Sequence, residues 1–148
     1  MQYPKIQAIL RESKFSLSVF NHSEIQPLEE KLTPAKDKKG NSYYVAECLK
    51  RGNIIKMTPE EVVRQLFLHR LIYHYKYPKS RITVEYPVRF GTDTSKRADI
   101  IITDKDRPDV VYIIVELKKP TSKEGKDQLK SYCNGTGAPI GFGRMAVW

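Results

Sequence analysis

Asp109–Pro120 reads D-V-V-Y-I-I-V-E-L-K-K-P, and the fold turns on how this stretch is read. Val110 to Val115 is an uncharged, mostly β-branched run that leads into Glu116-Leu117-Lys118 and is stopped by Pro120. A run without polar alternation has the pattern of a strand buried on both faces in the middle of a sheet. Side chains alternate along a strand, so Glu116 and Lys118 share a face, roughly 6.6 Å apart. A carboxylate and an ammonium at the end of a buried strand are costly to desolvate unless chemistry requires them there. On this stretch alone a plainer reading stays open, a strand whose last residues simply run out into water.

The flanking segments supply neighbours for this strand. Arg81 to Phe90 alternates, with Ile82, Val84, Tyr86, Val88 and Phe90 on one face. Pro87, which has no N–H for a ladder, marks it as an edge strand. Gly91 to Lys96 is a turn, and Ala98–Thr103 is a further strand with Asp99 and Ile101 on one face and Ala98, Ile100 and Ile102 on the other. Asp104 to Asp109 turns the chain into the central strand. Beyond Pro120, Thr121 or Ser122 can cap a helix over Lys123–Tyr132, on which Gln128 and Tyr132 share a face. The Gly- and Pro-rich segment 135–143 then reads as a connection to a last apolar piece, Met145–Trp148.

Upstream, Thr58-Pro59-Glu60-Glu61 is a helix start in which Thr58 caps, Pro59 takes the first position and Glu61 completes a capping box. Val62, Val63, Leu66, Phe67, Leu71 and Ile72 follow at helical spacing, which predicts a helix to about Tyr75, ending before Pro78. His69 and His74 are not at the spacing of a helical metal pair and read as packing or surface residues. In the first 57 residues, Lys14–Phe20 has strand alternation and Pro34–Asn41 reads as a basic loop. Tyr43–Lys50 reads as a strand, turning at Arg51-Gly52-Asn53 into Ile54–Lys56. The expectation is an α/β chain with a small N-terminal β appendage over 1–57 and a core over 58–148, closed into one domain. Lys36, Lys38, Lys39, Lys50, Arg51 and Lys56 of the appendage could touch phosphates, with a solvated basic loop as the default reading.

Composition narrows the class. With 40% hydrophobic and 29% charged residues the balance is that of a globular domain, and 148 residues suffice for a real core. Lys and Arg number 26 against 17 Asp and Glu, and the net charge of +9 favours a polyanionic partner, nucleic acid ahead of an acidic membrane surface. The longest apolar run is far short of a bilayer span, and M-Q-Y-P-K-I-Q lacks the charged and apolar regions of a secretory signal. Cys48 and Cys133 are too few for a disulfide framework or a cysteine-rich zinc site. A cytoplasmic protein with reduced, structural cysteines and no membrane partner is therefore expected.

The chemistry lies in the order helix, strand, strand, strand, helix, strand. If the strand of Asp99 neighbours that of Glu116, their carboxylates can converge on a hard divalent cation, which takes oxygen ligands and few protein carboxylates. Lys118 then faces the same space, where it can neutralise a phosphate or help activate a water. A cation, an activated water and a positive charge are what phosphodiester hydrolysis requires.

Asp99, sixteen intervening residues, then Glu116-Leu117-Lys118 resemble the PD-(D/E)xK nuclease signature, and Gln128-Leu129-Lys130-Ser131-Tyr132 matches the Q-x-x-x-Y motif of its RecB-like branch. T-P-E-E-V-V-R-Q-L, K-R-A-D-I-I-I, V-E-L-K-K-P, Q-L-K-S-Y and G-A-P-I-G, in this order over roughly 43–141, resemble the N-terminal nuclease domain of type I restriction enzyme R subunits. The resemblance implies a restriction-endonuclease-like core, a mixed central β-sheet flanked by helices, and a Mg²⁺-dependent deoxyribonuclease with Mn²⁺ as substitute. It implies Asp99, Glu116 and the Leu117 carbonyl as metal ligands and Lys118 as the catalytic lysine. Glu61 corresponds to the acidic residue of the first core helix, a catalytic group acting on the metal through water. Gln128, Tyr132, Arg97 and Lys119 would bind DNA or support the site. Double-stranded DNA is the implied substrate, and motor, methyltransferase or specificity components of a restriction system are the implied partners.

The chain departs from the family pattern in places. Ala98 stands where the signature has proline, and the tail G-F-G-R-M-A-V-W departs from the run that follows G-A-P-I-G. No G-x-x-x-x-G-K-[ST] occurs in the 148 residues, so no nucleotide is expected in this segment. The competing reading is a non-cleaving nucleic-acid-binding or assembly module on the same fold, because a fold does not guarantee an activity. Retention of both acids and the lysine favours the nuclease.

Overall fold

A computed structural model describes residues 2–13, 15–88, 92, 96–117 and 132–143. The chain divides into two units, Met1–Lys76 and Tyr77–Trp148.

In the first unit, helix α1 (Pro4–Leu10) and helix α2 (His22–Lys31) precede a meander of β1 (Thr33–Lys36), β2 (Ser42–Glu47) and β3 (Ile54–Lys56), followed by helix α3 (Pro59–His69). A strand order of β1-β2-β3 with antiparallel pairing throughout makes this a three-stranded sheet. The turn at Arg51-Gly52-Asn53 forms as expected, with Gly52 at φ 75 and its N–H donating to the Cys48 carbonyl at 2.8 Å. Only glycine takes that left-handed φ without steric cost.

The short helix α1 is held by a distant residue. Backbone N–H groups of Lys5 and Ile6 donate to the Glu29 carboxylate at 2.7 and 2.9 Å, so a buried acid satisfies otherwise orphaned donors at a helix N-terminus. Helix α2 carries a full capping box between Asn21 and Glu24. Arg70 then grips Glu24 with two bonds of 2.7 Å and lies over the rings of Phe20 and Phe67 at 4.9 and 5.8 Å.

Two local expectations are corrected in this unit, and a third, the helix to about Tyr75, holds in extent with a different last turn. Phe15–Phe20 is not a strand: Ser16 and Ser18 bond locally, the Ser18 N–H donating to Ser16 Oγ at 3.1 Å, which competes with a ladder. Lys14 itself lies outside the described residues. Pro34–Asn41 is not all loop, since Thr33–Lys36 pairs with β2 and only the turn at Asp37–Asn41 is irregular. The helix predicted to Tyr75 is α-helical to His69 and continues as a π-helical turn, Arg70–His74, closed by the Tyr75 N–H on the Arg70 carbonyl at 3.0 Å. Lys76, at φ 63, ends it before Pro78.

The second unit is built on a four-stranded sheet of order β4-β5-β6-β7, from β4 (Ile82–Pro87), β5 (Arg97–Thr103), β6 (Val111–Glu116) and β7 (Ile140–Gly143). β4, β5 and β6 are antiparallel neighbours, whereas β7 runs parallel to β6, so the sheet is mixed. β6 lies inside the sheet, as its uninterrupted apolar run predicts, and Pro87 lies on the edge strand. Ile101 and Ile114 pair across β5 and β6 and pack in a core with Val88, Val111, Tyr132 and Ala138. The alternate positions Ile82, Val84, Ile100, Ile102 and Val115 are buried as well. Each fully buried residue of this kind contributes about 1.5–3 kcal/mol of apolar transfer.

The last strand is a correction. It forms at Ile140–Gly143, inside the segment read as a connection, because pairing with Ile113–Glu116 supplies the hydrogen bonds that its glycine-rich sequence does not advertise. Met145–Trp148, and the predicted helix up to residue 131, lie outside the described residues; residues 132–136 are helical. The whole is α/β with a mixed sheet and several helices, the class expected from the sequence.

Candidate active site

Asp99 lies on β5 one residue beyond the Ile100–Val115 pair, which sets it opposite Glu116 at the end of β6. Directly opposed residues of an antiparallel pair project to one face. The two acids are tied by their backbones: the Leu117 N–H donates to Asp99 Oδ2 at 2.8 Å, and the Asp99 N–H donates to Glu116 Oε1 at 3.2 Å. Each carboxylate therefore accepts from the strand of the other, which fixes both rotamers at the strand ends. Glu116 is 1% exposed and Leu117 is buried beside it.

The charge of Glu116 reaches its surroundings. Burial, and then the nearby Glu116 carboxylate, push the Cys133 thiol above its ordinary range. Cys133 and Cys48 are both free cysteines, Cys48 buried and Cys133 partly so.

Two carboxylates on neighbouring strands, next to the main-chain carbonyl of Leu117, form an all-oxygen donor set of the kind Mg²⁺ takes, and the residues present fit such a cation. Among the described residues no group of three or more His, Cys, Asp or Glu side chains is arranged to hold a metal ion. A cation held here would take its remaining ligands from outside this pair of side chains.

Tyr132 is 1% exposed and packs in the core beneath these acids, with its hydroxyl 3.4 Å from the Arg97 carbonyl. In this position its ring is enclosed by Val88, Ala98, Ile101 and Ile114. Arg97 begins β5 with an exposed side chain that bonds the Lys96 carbonyl at 3.1 Å. Lys118, Lys119 and Gln128 lie outside the described residues.

Glu61 sits in the first turn of α3, in the N-terminal unit. Thr58 Oγ1 accepts from its N–H at 3.2 Å, so the helix start is as expected. The capping box is not completed. Glu61 Oε1 accepts from Arg64 at 2.8 Å and Oε2 from Gln65 Nε2 at 3.1 Å, because partners one turn on outcompete the cap N–H. Gln65, 2% exposed, continues the chain by accepting from the Leu49 N–H at 2.9 Å. His69 and His74 pack on Tyr73 and Tyr75, with ring centroids 4.7 and 4.8 Å apart.

Sequence reasoning passed over Glu85. On β4 it lies between the Val84–Ile100 and Tyr86–Ala98 pairs, level with Asp99 on β5, and its φ of 52 is left-handed. A non-glycine residue in that conformation is uncommon inside a strand. The strand alternation of Arg81–Phe90 carries no sign of it, because the register that sets Glu85 level with Asp99 exists only once β4 and β5 pair.

Among the described residues no helix is long and apolar enough to cross a membrane. No curated protein matches the chain. Residues 59–142, covering both strands of the acid pair, match the family described as type I restriction enzyme R protein N terminus, and the chain belongs to that family.

Proposed function

We propose that this chain is a metal-dependent DNA endonuclease domain that hydrolyses phosphodiester bonds within a restriction system. The observation that carries the proposal is the opposed Asp99–Glu116 pair, locked through the Leu117 and Asp99 N–H groups and followed at once in sequence by Lys118.

When bound, Mg²⁺, or Mn²⁺ in its place, supplies Lewis acidity to the scissile phosphate. Asp99, Glu116 and the Leu117 carbonyl hold it, and their mutual backbone bonds keep the two acids oriented without reorganisation. Lys118 is the catalytic lysine: its ammonium meets the charge that grows on the phosphate in the transition state and stabilises it electrostatically. Glu61, whose carboxylate Arg64 and Gln65 set, is assigned to this chemistry by the family resemblance. Tyr132 supports the sheet end, while Arg97, Lys119 and Gln128 position the DNA backbone. Double-stranded DNA is the substrate, the location is the cytoplasm, and motor, methyltransferase or specificity subunits are the partners.

Supercoiled plasmid incubated with the purified chain tests this directly. Nicking is expected with Mg²⁺ or Mn²⁺, none with EDTA, and a loss of about 10²-fold or more from Lys118→Ala or Asp99→Asn. Nicking that survives EDTA, or that either substitution leaves at the wild-type rate, overturns the mechanism, and binding without any nicking would leave the non-cleaving module on the same fold.

A further inference from the structure

We propose that the β1–β2 end of the N-terminal sheet is a docking surface for the phosphate backbone of duplex DNA, formed by Lys36, Lys38, Lys39 and Lys56. The choice of duplex DNA as the polyanion rests on the nuclease reading; the surface itself does not.

Residues 33–56 carry the cations Lys36, Lys38, Lys39, Lys50, Arg51 and Lys56 against the carboxylates Asp37 and Glu47. The sheet sorts them by end. Glu47 pairs with Ile54 at the β2–β3 turn, which also bears Lys50 and Arg51. At the other end, Lys36 pairs with Ser42 across the β1–β2 turn, with Lys38 and Lys39 in the turn and all three lysines exposed.

Within residues 33–56 the one carboxylate at this end, the exposed Asp37, is engaged by its own turn. Asp37 Oδ1 accepts from the Lys39 and Asn41 N–H groups at 2.8 and 2.9 Å, and Oδ2 accepts from Asn41 Nδ2 at 3.1 Å. Gly40, at φ 83, closes the turn with its N–H on the Asp37 carbonyl at 3.0 Å. Asp37 thus acts as the organiser of a rigid turn that holds the flanking lysines out, rather than as their ion-pair partner.

Lys56 joins them from β3. Its Nζ lies over the Tyr43 ring, 5.1 Å from the centroid, and its charge is felt by Asp37, whose carboxyl is held below its usual range first by the Asn41 N–H. Lys56, Ser42 and Tyr43 also line a groove of about 520 Å³ that gives the patch a hydroxyl donor and an aromatic wall. Four cations around an internally satisfied turn are an electrostatic footprint that tracks phosphates without reading bases.

Duplex binding in EDTA, measured against salt, tests the surface without cleavage entering. Each phosphate contact contributes about −0.9 to the log–log slope, so the Lys36→Ala, Lys38→Ala, Lys39→Ala triple variant should bind more weakly with a slope shallower by about 2–3. The Lys→Arg triple should keep the wild-type slope, and Lys50→Ala, Arg51→Ala at the opposite end should stay closer to wild type than the alanine triple. A wild-type slope in the alanine triple overturns the inference, as does a wild-type chain that binds single-stranded RNA but not duplex DNA. Absence of Mg²⁺-dependent plasmid nicking, with the slope change intact, would overturn the nuclease reading and leave the surface standing.

Discussion

The Leu117 N–H bonds Asp99 at 2.8 Å while the Asp99 N–H bonds Glu116 at 3.2 Å, so the two acids at the ends of β5 and β6 brace each other through the backbone. Stability and chemistry therefore separate at Asp99. Asp99→Ala leaves the buried Leu117 donor unmatched and should cost about 1–3 kcal/mol. Asp99→Asn retains an acceptor and should cost less, yet both should lower metal-dependent nicking by about 10²-fold or more, as expected when electrostatic stabilisation is removed. Chemical denaturation beside plasmid nicking checks the pair; an active Asp99→Asn would remove the acid from the site.

Glu61 offers a second separation. Its carboxylate faces Arg64 with side chains only 14% and 11% exposed, while the Thr58 cap needs only the backbone N–H of residue 61. Glu61→Gln should keep the helix start and lose about 1–2 kcal/mol through the weakened Arg64 contact. Nicking should fall further than that loss explains when assayed well below the melting temperature. Full nicking there would confine Glu61 to bracing its own helix.

The Glu24–Arg70 pair makes stability depend on pH. Burial acts to raise the Glu24 pKa, but the bonds from Arg70 and the Asn21 N–H outweigh it, and the result lies below the ordinary 4.5. A depressed carboxylate contributes stability that is fully present above its unfolded pKa and lost as pH falls through the folded one. Wild type should thus be more stable than Glu24→Gln at pH 7, and the gap should close as the pH is taken below 4.5. A gap constant over that range would show the pair to be energetically silent.

Ile114 tests the core under the acids. It is 0% exposed and pairs with Ile101, in contact with the Tyr132 cluster. Ile114→Ala should cost about 2–5 kcal/mol, and Ile114→Val about 0.5–1.5, from lost transfer energy and the cavity left behind. Urea midpoints at constant m-value read this out.

The β-branched run 110–115, the alternation around Asp99, the edge proline Pro87 and the Thr58 cap were legible because each is a local signal: a period, a missing N–H, a side-chain oxygen beside an N–H. With these came β6 inside a sheet, β4 at its edge and Asp99 beside Glu116, while the Gln128–Tyr132 motif pointed at a residue that the fold buries beneath that pair. Sequence could not show where Glu61 turns, because Arg64 and Gln65 compete with the cap for the same oxygens and only geometry ranks them. Nor could it show α1, whose first N–H groups are satisfied by Glu29 more than twenty residues on, or β7, which is a strand only because β6 lies alongside. Those features depend on partners brought together by folding, and a hydrogen bond between distant residues leaves no period in the chain.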